Sequence, residues 1–264
     1  MQTQMQILLP DIELHKIDNE FVNIPHAHHH EYQITVPIKG SCEFHYENRG
    51  MELRAGEGLV VHPADRHCFQ MSNHSGIIIV IAKDELIRQA CREIEPSQRP
   101  FESAAMLSYF QRCASRFIAM DHMDPLAVEE TQSLALAELE DMLAAGGQLR
   151  TEATKKAERS SDWSMTQVLA YIEAHYTEQL DIDQLAAVAL QSRYHFIRSF
   201  KLATGVTPYQ YVLRLRIEEA KRQLRISAHT VTDISFNVGF SSPSQFYRVF
   251  MKFSGVTPES YRGM

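Results

Sequence analysis

Nine of the thirteen histidines fall before residue 75, and three of them carry a spacing that chemistry can use. His26 and His28 stand two apart in PHAHHHEYQ, so on an extended strand their side chains share a face. His67 follows the turn His62-Pro63-Ala64-Asp65 and would come from a later strand. Three imidazoles converging inside a β-rich body can ligate Zn²⁺, Fe²⁺ or Mn²⁺, so a divalent metal at His26, His28 and His67 is one reading. A second is a polar pocket for an organic effector, lined by His26, His28, His30, Gln33 and His67. A third is plain surface and turn histidines, and a fourth is a pH-sensing cluster.

A second chemistry-bearing set lies near the other end. Residues 198–211 read RSFKLATGVTPYQY and residues 248–261 read RVFMKFSGVTPESY. Offset by fifty, Arg198/Arg248, Phe200/Phe250, Gly205/Gly255, Thr207/Thr257, Pro208/Pro258 and Tyr211/Tyr261 coincide, as do Ser192/Ser242 and Phe196/Phe246 upstream. A repeat of this size implies one supersecondary unit used twice. Phe196 with Phe200, and Phe246 with Phe250, are i, i+4 pairs on one helical face and are expected in the core. The opposite faces then carry Arg193, Tyr194, Ile197, Arg198 and Lys201 in the first copy, and Ser244, Gln245, Tyr247, Arg248 and Lys252 in the second. Such side chains bond base edges and phosphates: an Arg fork suits guanine and Gln suits adenine.

The elements that must position these residues are legible in outline. The chain has 264 residues, 44% hydrophobic and 22% charged, the composition of a soluble globular protein long enough for two domains. No apolar run approaches the ~18–20 residues of a membrane span, and the N-terminus lacks the basic flank of a secretory signal. The four cysteines are scattered without a CxxC pair and are expected as reduced, structural thiols in the cytoplasm. Residues 1–150 hold 12 Lys+Arg against 22 Asp+Glu, whereas 151–264 hold 14 against 11, so the −7 chain has an acidic front and a mildly basic rear. Only the rear is then expected to meet a polyanion.

Residues 10–82 read as short strands separated by turn residues, and 83–145 as helical, with Leu136, Leu139 and Leu143 forming an apolar stripe. The stretch GGQLRTEATKKAERSSD, 146–162, reads as a linker. Beyond it, helix punctuation is dense. Ser164/Gln167, Asp181/Gln184 and Thr230/Asp233 fit capping boxes, and Thr207-Pro208, Ser242-Pro243 and Thr257-Pro258 each place an N-cap hydroxyl before a first-position proline. Seven helices are predicted, near 164–176, 181–189, 192–203, 208–225, 231–237, 243–253 and 258–262. The links before the third and sixth are short enough for helix-turn-helix units. The fourth helix spans roughly 25 Å at 1.5 Å per residue. It is a spacer that can hold two recognition helices about one DNA turn, ~34 Å, apart.

With Leu185-Ala186, Ser192, Phe200-Lys201, Gly205-Val206-Thr207-Pro208, Tyr211, Arg216, Ala220, Gly239-Phe240 and Gly255-Val256-Thr257-Pro258 followed by Tyr261-Arg262, residues 164–262 resemble the AraC/XylS family of bacterial regulators. The resemblance implies an all-α domain of two helix-turn-helix units joined by a long helix, placing two recognition helices in successive major-groove segments. By position it assigns Arg193, Tyr194, Ile197 and Arg198 to the first helix and Ser244, Gln245, Tyr247 and Arg248 to the second. Two residues depart from the family pattern: Ile197 replaces a polar reader, and Ser235 replaces a small apolar residue.

The front half looks like the double-stranded β-helix (cupin) sensor domains fused to such modules. Metal-binding cupins place a Glu in step with the His pair; here Glu31 is one place out of step and Gln33 lies nearer that position. The implied fold class is α+β multidomain: a cupin-like effector-binding and dimerisation domain over 1–145, a linker over 146–162 and a DNA-binding domain over 163–264. The implied partners are double-stranded promoter or operator DNA, a small-molecule effector, RNA polymerase and a second copy in a homodimer, with no membrane. The expected activity is transcription regulation rather than catalysis. The rivals are a cupin metalloenzyme or metal-sensing regulator fused to a DNA-binding module, and an architectural DNA-binding protein.

Overall fold

Alternation of apolar and polar residues in the front of the chain produces paired strands. The computed structural model describes residues 3–83, 98–145 and 161–263. Its strands are β1 (Thr3–Leu9), β2 (Ile12–Asp18), β3 (Phe21–Val22), β4 (Glu31–Lys39), β5 (Ser41–Tyr46), β6 (Arg49–Arg54), β7 (Glu57–Val61), β8 (His67–Met71), β9 (Gly76–Lys83) and β10 (Gln98–Pro100). They form two antiparallel sheets, ordered β1-β2-β9-β4-β7-β10 and β3-β8-β5-β6. Cys42 and Phe44 of β5 and Phe69 and Met71 of β8 face Ile17, Leu59, Val61, Ile77 and Ile79 of the larger sheet, and this shared apolar layer is the core. Burying both inner faces removes apolar surface from water at roughly 25 cal/mol per Å². Strand β4 is buried almost throughout because α1 (Ser103–Ala119) packs on its outer side. Strand pairing starts at Thr3, earlier than the residue-10 boundary read from sequence. Residues 98–100, expected within a helical stretch, instead pair with β7 as an edge strand. Residues 84–97 lie outside the described residues.

The chain divides into two compact units, Met1–Met120 with Leu134–Arg150, and Asp121–Ser133 with Thr151–Met264. Helix α2 (Pro125–Ala145) contributes to both. In the first unit the fully buried Tyr109 donates its hydroxyl to the Ala135 carbonyl at 3.1 Å, and Glu138 pairs with Arg112 and Arg116. Leu136, Leu139 and Leu143 are all buried, so this stripe is core and not a seam left open for a second chain.

The second unit adds α3 (Ser161–His175), α4 (Ile182–Val188), α5 (Arg193–Thr204), α6 (Pro208–Ile226), α7 (Val231–Asn237), α8 (Pro243–Ser254) and α9 (Pro258–Arg262). These are the seven predicted helices. Asp181, Ser192, Thr207, Thr230, Ser242 and Thr257 all act as N-caps, and Gly205 and Gly255 end α5 and α8 with φ of 76° and 74°. One start differs: α3 begins at Ser161, so Ser164 lies inside the helix instead of capping it. The linker assigned to 146–162 falls at 146–160 outside the described residues. The buried Ser235, which departs from the family pattern, donates its hydroxyl to the Thr232 carbonyl at 2.6 Å and is satisfied. No described helix is long and apolar enough to cross a membrane.

Carboxylates of the 121–130 segment hold the helix starts of this unit. Glu129 accepts the Ile182 N–H at 2.8 Å, at the start of α4, and Glu130 accepts the Tyr209 N–H at 2.7 Å, at the start of α6. Burial pushes the Glu130 carboxyl up to about 7, against the bonds from Thr207 and Tyr209 that favour its charge. A native pKa above the unfolded 4.5 means the folded state binds the proton more tightly. The contribution of Glu130 to the stability of the second unit is therefore greatest below pH ~4.5 and falls, by an amount on the order of a few kcal/mol, as pH rises to about 7. Urea unfolding at pH 5 and pH 8, followed through the single tryptophan, Trp163, checks this; Glu130→Gln should flatten the slope. A second expectation concerns glycines. A Cβ at Gly239 (φ 94°) would lie 2.5 Å from the Thr177 carbonyl oxygen, whereas one at Gly255 (φ 74°) meets nothing. Gly255→Ala should cost about 1 kcal/mol for its left-handed backbone, and Gly239→Ala clearly more, in the same denaturation experiment.

Candidate nucleic-acid interface and histidine cluster

The two recognition elements are built by the same local rules. In α5, Phe196, Ile197 and Phe200 are buried, and in α8, Gln245, Phe246, Val249 and Phe250 are. The paired rings meet edge-on or tilted, at 5.6 Å for Phe196–Phe200 and 5.4 Å for Phe246–Phe250, and each second ring packs on the following tyrosine, Tyr211 or Tyr261. Turning these faces inward leaves Arg198 and Lys201 on α5, and Ser244, Arg248 and Lys252 on α8, exposed.

Two residues expected at the interface are elsewhere. Ile197 is 1% exposed and belongs to the core, widening the Phe196/Phe200 stripe, so it is not available to a thymine methyl. Gln245 is 4% exposed; its oxygen accepts from the Ser241 N–H at 3.0 Å and hydroxyl at 2.9 Å, and its amide donates to Asp124 at 3.2 Å. It holds the turn instead of reading adenine. Arg193, Tyr194 and Tyr247 are half-buried. Arg193 forks onto Asp183 of α4, and Tyr247 donates its hydroxyl to Glu259.

The residues that sequence reasoning missed are acidic. Asp121, 8% exposed, holds the otherwise exposed Arg248 guanidinium at 2.6 Å. Asp121 and Asp124 are about 120 residues from their partners in sequence, and no local signal links them.

In the first unit, one ring nitrogen from each of His26, His28 and His67 lies within 4.8 Å of those of the other two. Their positioning differs from the strand alternation expected. His26 makes a single antiparallel bridge to His67, with N–H···O bonds of 3.0 and 2.9 Å, and His28 lies in the stretch before β4. Gln33, buried on β4 between β7 and β9, directs its side-chain oxygen at His28 Nε2 (3.1 Å) and His67 Nε2 (3.0 Å), and donates from its amide nitrogen to Thr35 at 2.9 Å. The His67 ring stacks parallel to Phe44, 5.9 Å away. Burial, with smaller effects from His26 and His28, lowers the His67 pKa to about 4, so the ring is neutral at pH 7. Glu31 lies 3.5 Å from His28 Nδ1, outside the cluster. His30 is exposed, near His29, and does not join the group, which corrects its assignment to the pocket.

Comparison with known proteins supplies the family. The AraC-like ligand binding domain family matches residues 9–153, more than half of the chain, and a helix-turn-helix domain family matches residues 185–264. The probable transcriptional regulator LumQ of Photobacterium leiognathi is 24% identical over 259 residues, covering 98% of both chains. The transcriptional activator RhaS of Citrobacter koseri is 25% identical over 247 residues, covering 89% of this chain and 86% of its own. Among solved structures, the DNA-binding domain of AdpA in complex with a target DNA is 34% identical over 38% of this chain and 90% of its own, with a TM-score of 0.37. The chain therefore belongs to the AraC/XylS family: it is a DNA-binding transcription regulator with a sheet-rich N-terminal ligand-binding domain and a C-terminal helix-turn-helix domain.

Proposed function

We propose that this regulator reads double-stranded operator DNA through the outer faces of α5 and α8, under the control of a small-molecule effector bound in the first unit beside His26, His28, Gln33 and His67. The observation that carries the reading is the matched polarity of the two helices. Each buries a Phe pair and exposes an arginine at the same repeat position, Arg198 and Arg248. Lys201 and Ser244 extend those faces, and Arg193, Tyr194 and Tyr247 flank them. Phosphate contacts fix register, while arginine forks in the major groove supply base discrimination.

The working division is a sensor over 1–145, a linker over 146–162 and a DNA-binding domain over 163–264. The protein acts in the cytoplasm, as a homodimer, beside RNA polymerase, and without catalysis of its own. Two chains pairing through 83–145 would use the outer face of α1, where Gln111, Arg112, Ser115 and Ile118 are exposed. Pairing raises avidity on a doubled site without any new DNA contact. An effector acts by favouring one arrangement of the protein over another.

Genome-wide mapping of bound sites supplies the operator, and titration of labelled operator by anisotropy then tests the contacts. Arg198→Ala and Arg248→Ala should each weaken specific binding by ~1–3 kcal/mol. Asp121→Asn should tighten it by up to about 1 kcal/mol at low salt, because it frees Arg248 and removes an anion beside it. Unchanged affinity in both arginine variants would mean that other elements meet the DNA.

A further inference from the structure

The two sheets of the first unit end in four edge strands, and three of them are guarded. Strand β10 has three residues, Gln98-Arg99-Pro100, with a charge and a proline; β3 has two; and β6 carries Arg49, Glu52 and Arg54. Shortness, charge and proline are the devices that stop an edge from pairing with another chain. The fourth edge, β1, has none of them. Its seven residues, Thr3-Gln4-Met5-Gln6-Ile7-Leu8-Leu9, include no charge and no proline. Met5 and Leu8 are 42% and 55% exposed. The backbone directions follow from the pairing. The Lys83 N–H donates to the Asp11 carbonyl at 3.2 Å, so the odd-numbered residues of β2 turn their backbone groups toward β9 and the even-numbered ones toward β1. Ile12, Leu14 and Lys16 stand opposite Leu9, Ile7 and Met5. That leaves the N–H and C=O groups of Gln4, Gln6 and Leu8 pointing out of the sheet, without a partner among the described residues.

We propose that β1 is a pairing edge for a second copy of this chain: two β1 strands run antiparallel about a twofold axis at Gln6, joining the two six-stranded sheets into one. The proposal deepens the homodimer reading and rests on it, since it names the edge through which the copies join. A second copy fits because the strand is its own complement. With Gln6 opposite Gln6 of the partner subunit, Gln4 stands opposite Leu8 of the partner subunit. The three outward residues of each strand then face the same three of the other, in pairs that each exchange two N–H···O=C bonds. An axis at Leu8 would instead set Gln6 against Pro10, which has no N–H to give. Directly opposed side chains share a face, so Met5 lies against Ile7 of the partner subunit and Leu8 against Gln4 of the partner subunit. Both exposed apolar side chains of the edge are covered. A seven-residue strand pair is small beside the ~800 Å² per partner of a standard interface. Helix α1 adds to it, because α1 packs on β1 as well as on β4 and β9, and pairing through β1 brings its exposed side toward the partner subunit.

The test uses the full chain, with its mass read by sedimentation equilibrium at micromolar concentration. The wild type should be a dimer, and Gln6→Pro and Leu8→Lys should each raise its dissociation constant more than about tenfold. Neither variant removes a bond between β1 and β2, because both backbone N–H groups point out of the sheet, and circular dichroism with the melting temperature checks that each keeps its fold. Register is read separately. Residues opposed in a hydrogen-bonded pair have Cα atoms ~5.5 Å apart, within disulfide range, so Gln6→Cys should give a covalent dimer under mild oxidation. Gln4→Cys should not, because its two copies would lie four residues, about 13 Å, apart along the strands. The wild type under the same oxidant sets the baseline from the native cysteines. A dimer as tight in either edge variant as in the wild type would overturn pairing through β1, and so would a Gln4→Cys chain that cross-links as readily as Gln6→Cys. Both results leave the homodimer reading standing on another face. A wild type that sediments as a monomer would overturn the two together.

Discussion

One buried guanidinium organises the DNA-binding unit. Arg216, in the middle of α6 and 6% exposed, donates to the Tyr176 carbonyl at 2.7 Å and to the Glu178 carbonyl at 2.9 Å, and lies 5.8 Å over the Phe240 ring. A buried charge is tolerated only where the protein replaces its lost water, and here two carbonyls, an aromatic face and the nearby Asp124 do so. Tyr176 to Glu178 connect α3 to α4, and Phe240 opens the turn before α8. The same side chain therefore ties the spacer helix to the loop that precedes the first helix-turn-helix and to the turn of the second. The spacing of the two recognition helices follows from that tie as much as from the length of α6, ~28 Å for its 19 residues.

Most of this unit was legible because its signals are local. An N-cap oxygen followed by proline, or a glycine forced to positive φ, acts within four residues, so such positions mark helix ends wherever the rest of the chain goes. Which residues of a recognition helix face out is less local. Ile197 lies beside the Phe196/Phe200 stripe and its apolar side chain was itself the sign of burial. Gln245, three residues after the N-cap Ser242, carried the sequence pattern of a capping amide, and its oxygen indeed satisfies the Ser241 N–H. The repeat position points both toward DNA, but each side chain's own preference turns it inward.

The histidine cluster was legible in its members but not in its cause. His26 and His28 do not alternate along a paired strand. They come together because His26 bridges to His67 and His28 approaches Gln33. A bridge of one residue pair leaves no periodic trace in sequence. Gln33 does leave one: a polar residue in the midst of the buried run Tyr32–Pro37 must find partners, and those it finds are His28, His67 and Thr35.

Charge shows most clearly why folding had to be known. Residues 151–264 carry a net +3, the sign expected of a DNA partner. The folded unit also includes Asp121–Ser133, with four carboxylates and no lysine or arginine, which turns +3 into −1. Attraction to a polyanion therefore cannot rest on the net charge of this unit. On the proposed reading it comes from where the charges stand: Arg198 and Lys201 exposed on α5, Arg248 and Lys252 exposed on α8, and the acids Glu129 and Glu130 bonded to the backbone at the starts of α4 and α6. Screening over a Debye length of about 8 Å makes this local placement decisive. Asp121 is the exception, since it pairs with Arg248 on the exposed side of α8, so the basic face of that helix is weaker than its sequence suggests.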